Sequence, residues 1–357
     1  MEHHDKIKKV LKSFDKILMS YATRILPPDQ RKYLKGKDGS DFLYVMNRYL
    51  KTMVVPVPHS VVITPTYKCA LSMIGDLEIH KKSNLLINAF KTGNPILNKK
   101  GLSKADRFVT DNNFMFFDKS GCHILDFLSY GASIRHFHIG YNKGTDDTLA
   151  YVIVMNNEAH FLTIASHSDI YIESGGNVVF NALLNEYPYY ADRIFYKVKS
   201  GTLTQPALSS NDVRMLKVSG VNSAFVDKNG DVRIPTSAIS TARTPMSETM
   251  RYIKAKNEIE EYISTVEMRV RGKNIRIISI ETYNKKPVIV FCCEHSPNKI
   301  EYINVIINES SAIGSIIKDI YDICTIGGFP YPSVSPKIQN KAASRKNNKR
   351  TNCDAGR

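Results

Sequence analysis

The stretch from Ile134 to Tyr171 constrains the fold most. Three short runs of apolar and β-branched residues, Ile134 to Gly140, Thr148 to Met155 and Ala159 to Ser166, are separated by Tyr141 to Asp147 and by Asn156-Asn157-Glu158. Runs of this length with polar breaks predict an antiparallel three-strand meander, the breaks being hairpin loops. Strand periodicity then sorts the first run: Ile134, His136 and His138 share one side, Arg135 and Phe137 the other. Basic side chains are thereby placed in or beside an otherwise buried sheet.

Imidazole is the side chain best suited to moving protons near neutral pH, and histidines on neighbouring strands can face one cleft. His138 on the first run and His167 at the end of the third are therefore candidates for a general acid/base pair. The alternative is structural, each ring being partly buried and satisfied by a backbone carbonyl.

The order of Arg135-His136-Phe137-His138-Ile139, the apolar Leu149 to Val154, the turn Asn156-Asn157-Glu158, the apolar Ala159 to Ala165 and the closing Ser166-His167-Ser168-Asp169-Ile170-Tyr171 resembles the C-terminal half of RelE/ParE-superfamily toxins of the YafQ mRNA-interferase type. The resemblance spans residues 85–172. It implies that His138 and His167 are catalytic, that Arg135 offsets charge on a phosphorane-like transition state, and that Tyr171 stacks on an RNA base, with His136 and Asp169 second in rank. A helix at Asn84 to Lys91 and another near Ser120 to Tyr130 would precede the sheet. The implied activity is that of a toxin or phage-defence endoribonuclease: a ribose 2′-hydroxyl attacks its own phosphate, with neither metal nor cofactor. The implied partners are RNA, ribosome-associated mRNA included, and an antitoxin protein. The chain departs from the family at Asp126-Phe127-Leu128, where members carry another histidine, and in the longer loop from Gly140 to Thr148.

The net charge of +15 favours polyanionic partners, because a basic surface attracts them and gains affinity by releasing counterions. From Lys337 onward there are seven basic residues (Lys337, Lys341, Arg345, Lys346, Lys349, Arg350, Arg357) against the single acid Asp354, a composition expected to be disordered. Six of the fifteen charges lie there, and nine belong to residues before it. A second reading is thus a nucleic-acid-binding or assembly protein that keeps a toxin-like fold without catalysis; simple solubility is the bland one. The six cysteines lack zinc spacing and are expected to be reduced thiols, several of them in the core. No run is long enough to span a membrane and the N-terminus lacks a secretory signal, so a cytoplasmic protein without membrane association is expected; oligomeric state stays open.

The chain of 357 residues exceeds one ordinary core, and an α+β architecture is expected in five parts. Residues 1–58 are read as helical, with Ile7, Val10, Leu11, Phe14, Leu18 and Tyr21 on one face of a first helix and Lys6, Lys8, Lys9, Lys12 and Lys16 on the other. That basic face fits RNA, an acidic partner, a membrane surface or plain solvent. Residues 59–173 hold the toxin-like sheet, 174–245 an irregular connection with one hairpin, 246–330 a second α+β domain and 331–357 the basic tail. The hairpin turn Asp227 to Asp231 lacks the closing glutamate of an EF-hand, so a turn is preferred to a calcium loop. In the second domain, a helix from Ser247 to Ser264 precedes four strands: Val266 to Arg271, Ile275 to Tyr283, Val288 to Glu294 and Ile300 to Ile307. Arg269, Arg271, Lys273 and Arg276 form a basic stripe there, either RNA-binding or a solvated edge.

Overall fold

The computed structural model describes residues 2–99, 107–109, 115–117, 119, 121, 128, 132–140, 148–155, 157–166, 178–198, 225–227, 229–235, 246–269, 274–283, 286–296 and 299–327. The protein is a mixed α+β chain forming two compact units, one of Met1–Ile17 with Ala255–Cys324 and a larger one of Leu18–Lys254. These cuts differ from the expected ones at residues 58, 173 and 245. The first half of the N-terminal helix belongs with the C-terminal elements, a pairing between distant parts of the chain that local pattern cannot show.

In the larger unit, α2 (Gly39–Thr52) starts in a capping box. Asp38 accepts from the N–H groups of Ser40 and Asp41, and the Asp41 carboxylate accepts from the Asp38 N–H at 3.0 Å. Strand β1 (Ser60–Ile63) leads into α3 (Pro65–Ser72), and α4 (Leu77–Thr92) ends at Gly93, whose φ of +66° is the left-handed cap expected of a glycine there. The meander follows as β2 (Ile134–Gly140), β3 (Thr148–Met155) and β4 (Glu158–Ala165). The expected antiparallel sheet gains a fourth, parallel strand, the order being β1-β4-β3-β2 with Val61 opposite Ala159.

Both faces of this sheet are covered. Phe137, Ala150, Val152 and Phe161 pack with Tyr67 of α3 and with Leu86 and Phe90 of α4. Ile134, Leu149, Tyr151 and Ile153 pack with Val179, Phe180 and Leu183 of α5 (Val178–Glu186). Double coverage explains why Leu149 to Val154 reads as one apolar run without alternation.

The described residues of the expected irregular connection form regular elements. It holds α5, a short helix α6 (Pro188–Ile194) opened by Pro188, and a small sheet of β5 (Phe195–Val198), β6 (Phe225–Val226) and β7 (Val232–Pro235), the last two forming the expected hairpin. The Asp227 carboxylate turns onto its own loop, accepting from the N–H groups of Asn229 (2.9 Å) and Asp231 (3.0 Å) and from Arg233 Nε (3.0 Å). That arrangement is an Asx turn with a buried ion pair.

The smaller unit holds the first part of α1 (Glu2–Ile25), the later part of α7 (Met246–Arg269), the sheet of β8 (Asn274–Tyr283), β9 (Lys286–Ser296) and β10 (Lys299–Ile306), and α8 (Ala312–Gly327) as far as Cys324. Among the described residues, three of the four expected strands form here. Residues 266–269 continue α7, because Val266 extends the buried helical stripe of Ala255, Ile259 and Ile263. Helix α8 buries Ile313, Ile316, Ile317, Ile320 and Ile323, a stripe at three- and four-residue steps. Its first N–H groups are satisfied by Glu258, which accepts from Ala312 and Ile313 at 2.9 Å each, and by Ser311 Oγ, which accepts from Gly314 at 3.0 Å. Cys292, Cys293 and Cys324 are buried thiols and Cys69 is an exposed one. Among the described residues no helix is long and apolar enough to cross a membrane.

Candidate nucleic-acid interface and the strand-borne histidines

The α1 helix is two-sided. Val10, Phe14, Leu18 and Tyr21 are buried, whereas Lys8, Lys9, Lys12 and Lys16 are exposed, and none of these four lysines forms an ion pair among the described residues. Lys9, Lys12 and Lys16 follow one another by three and four residues, so their charges line one face over about 10 Å of helix at ~1.5 Å per residue. Among the described side chains, that face carries Asp5 as its acid and no aromatic ring. It can meet phosphates by charge but has no surface on which a base would stack.

The same unit contains the C-terminal basic segment. Ser13 Oγ donates to the Val10 carbonyl at 2.6 Å and accepts from the Ile277 N–H of β8 at 2.9 Å, which ties α1 to the edge of the sheet. Arg276 is the residue next to that bond; its exposed guanidinium is paired with Glu294 at 2.9 Å, so part of its charge is already answered. Arg269 is the last residue of α7, while Arg271 and Lys273 lie outside the described residues. Two basic segments separated by some 250 residues in sequence therefore belong to one compact unit.

The strand-borne set is distributed differently. His136 and His138 share a face of β2, as periodicity requires, with ring centroids 5.8 Å apart; His136 lies 6.3 Å from the Tyr151 ring. His138 is only 2% exposed. Arg135 projects from the other face, where Nη1 donates to the Met53 carbonyl and Nη2 to the Leu50 carbonyl at 3.2 Å. These are the last carbonyls of α2, so the guanidinium caps a helix C-terminus and is turned away from the imidazoles. The expected role of Arg135 beside His138 at one phosphate is corrected by this geometry. Burial lowers the Arg135 pKa to about 10, which leaves the side chain charged at neutral pH. His167, Asp169 and Tyr171 lie outside the described residues, as does the expected basic tail.

Two arrangements escaped the sequence reading. On β4, His160 Nε2 lies 3.0 Å from Glu158 Oε2 and its Nδ1 lies 2.8 Å from the Tyr187 hydroxyl. A carboxylate only accepts, so in the neutral ring the proton sits on Nε2 and Nδ1 accepts from the phenol. Burial, then Glu186 and Glu158, raise the Tyr187 pKa, which keeps the phenol protonated; the chain of bonds ties β4 to the start of α6. Glu158 and His160 at alternate strand positions were a visible signal, but Tyr187 was not.

The other arrangement is His59, 7% exposed and edge-on to Phe90 at 5.4 Å. Burial lowers its pKa below 6.5; a backbone bond at Val57 opposes this, the charge of Arg135 adds to it, and a backbone bond at Phe90 opposes again. Below pH 6.5 the unfolded chain takes up a proton that folded His59 resists, so stability present above 6.5 falls as pH drops from there toward the folded value. Urea unfolding at pH 7.5 and 5.5 should show this step in the wild type and a smaller one in His59→Gln; equal steps would exclude His59 as its source.

Neither a family model, nor a curated protein, nor a solved structure matches this chain.

Proposed function

We propose that the protein binds nucleic acid, RNA foremost, through contacts of the α1 lysine face with backbone phosphates. The supporting observation is the row of exposed lysines Lys9, Lys12 and Lys16, without an ion pair among the described residues, held on the unit that also carries the basic segment ending at Arg276. Binding of this kind is driven by counterion release and is largely indifferent to sequence. At about 50 mM salt, each phosphate contact contributes roughly tenfold in affinity by that mechanism. Fluorescence anisotropy with a labelled single-stranded RNA should therefore show Lys9→Ala/Lys12→Ala/Lys16→Ala binding at least about 100-fold more weakly, with an unchanged melting temperature because the three positions are exposed. Unchanged affinity in the triple variant would refute the proposal.

The endoribonuclease reading is the second, favoured by the approach of His136 to His138 on one strand face. One imidazole would take the 2′-hydroxyl proton and the other would protonate the departing 5′-oxygen. The burial of His138 and the engagement of Arg135 on α2 place this reading behind the first. The RNA used for binding, run on a denaturing gel, discriminates between them. Intact RNA is expected; fragments with cyclic-phosphate ends that vanish in His136→Ala/His138→Ala would reverse the order.

A further inference from the structure

We propose that two copies of this chain associate edge to edge through β10, continuing the three-stranded sheet of each across a two-fold axis. The order β10-β9-β8 leaves an edge strand on either side. The two edges are treated differently. The β8 edge has the Ile277 N–H closed by the Ser13 hydroxyl, whereas beyond β10 no further strand is paired among the described residues. On one face of β10, at an open edge, Ile300, Tyr302 and Ile306 are 44%, 42% and 61% exposed, with the exposed Asn304 between the last two. Unpaired backbone groups beside such a row are a template for another strand.

The strand is complementary to itself. In an antiparallel pair with Ile303 opposite Ile303 of the second copy, Ile300 of each faces Ile306 of the other, and Tyr302 of each faces Asn304 of the other. Glu301 then faces Val305, so no like charges are opposed. A two-fold axis normal to the sheet keeps all exposed apolar residues on one side, and the contact closes after two copies, as an isologous interface does. The alternation that leaves Ile300, Tyr302 and Ile306 wet in a single chain is the one that this register covers.

The test uses the full chain freed of nucleic acid, so that it does not depend on polyanion binding. Sedimentation equilibrium should show a concentration-dependent species of twice the 40.3 kDa chain mass. Ile300→Lys/Ile306→Lys should shift the midpoint of that association at least about tenfold in concentration, with an unchanged circular dichroism spectrum. Ile303→Cys should give a disulfide-linked dimer on a non-reducing gel under conditions where the wild type gives none, because the two residues oppose each other. A wild type that stays monomeric at 100 µM overturns the proposal. So does a dimer that the double lysine variant leaves intact. If that variant is misfolded, the cysteine cross-link decides alone.

Discussion

Arg135→Met should melt about 6–12 °C below the wild type, corresponding to a loss of about 3 kcal/mol in a unit of this size. The guanidinium makes two charge-assisted bonds to the last carbonyls of α2, at Leu50 and Met53, and offsets the partial negative charge of that helix end. Methionine fills much of the same volume but leaves both carbonyls without their donor in a partly buried place. Arg135→Lys keeps the charge and loses the fork, so it should recover part of the loss. Because the lysines of α1 are not involved, RNA affinity should stay within about twofold in both variants once they are assayed below their melting temperatures. A methionine variant as stable as the wild type would mean that the cap contributes nothing.

Gly93→Ala should be at least as damaging, by about 3 kcal/mol or more. A β-carbon at this position would lie 2.5 Å from the Val57 carbonyl carbon and 2.7 Å from the Pro58 nitrogen, both backbone atoms, and φ is +66°. The left-handed conformation alone costs about 1–2 kcal/mol for alanine, and the clash is added because neither backbone segment can rotate away. Gly36 supplies the control: its φ is +78°, yet nothing lies within 4 Å of an added β-carbon. Gly36→Ala should therefore show only the conformational part. Equal midpoints for the two variants in urea would show that close packing of α4 on residues 57–58 is not what Gly93 serves.

What could be read from the residues and what could not divide along physical lines. Helix α1 was visible because its buried residues recur at three- and four-residue steps, and α4 over its second half, Asn84 to Lys91, although it begins at Leu77. The meander was visible because polar breaks separate three runs of strand length. The parallel pairing of β1 with β4 was not, since it joins residues nearly a hundred positions apart. The last turn of α7 was misread as strand because its β-branched and charged residues satisfy either period over so short a length. At the site, alternation correctly placed His136 with His138 and turned Arg135 away from them. Nothing local could reveal that α2 ends where Arg135 points, or that Ser13 and Ile277 are bonded.

If phosphate charge met by the α1 lysines drives binding, as proposed, RNA affinity must depend on salt. Anisotropy titrations between 50 and 200 mM salt should give a steep linear fall of log K with log salt for the wild type. For Lys9→Ala/Lys12→Ala/Lys16→Ala the slope should be shallower by about 2, from ~0.7 per phosphate lost on a single strand. Parallel lines for the two proteins, or a wild-type affinity indifferent to salt, would exclude phosphate binding by these lysines.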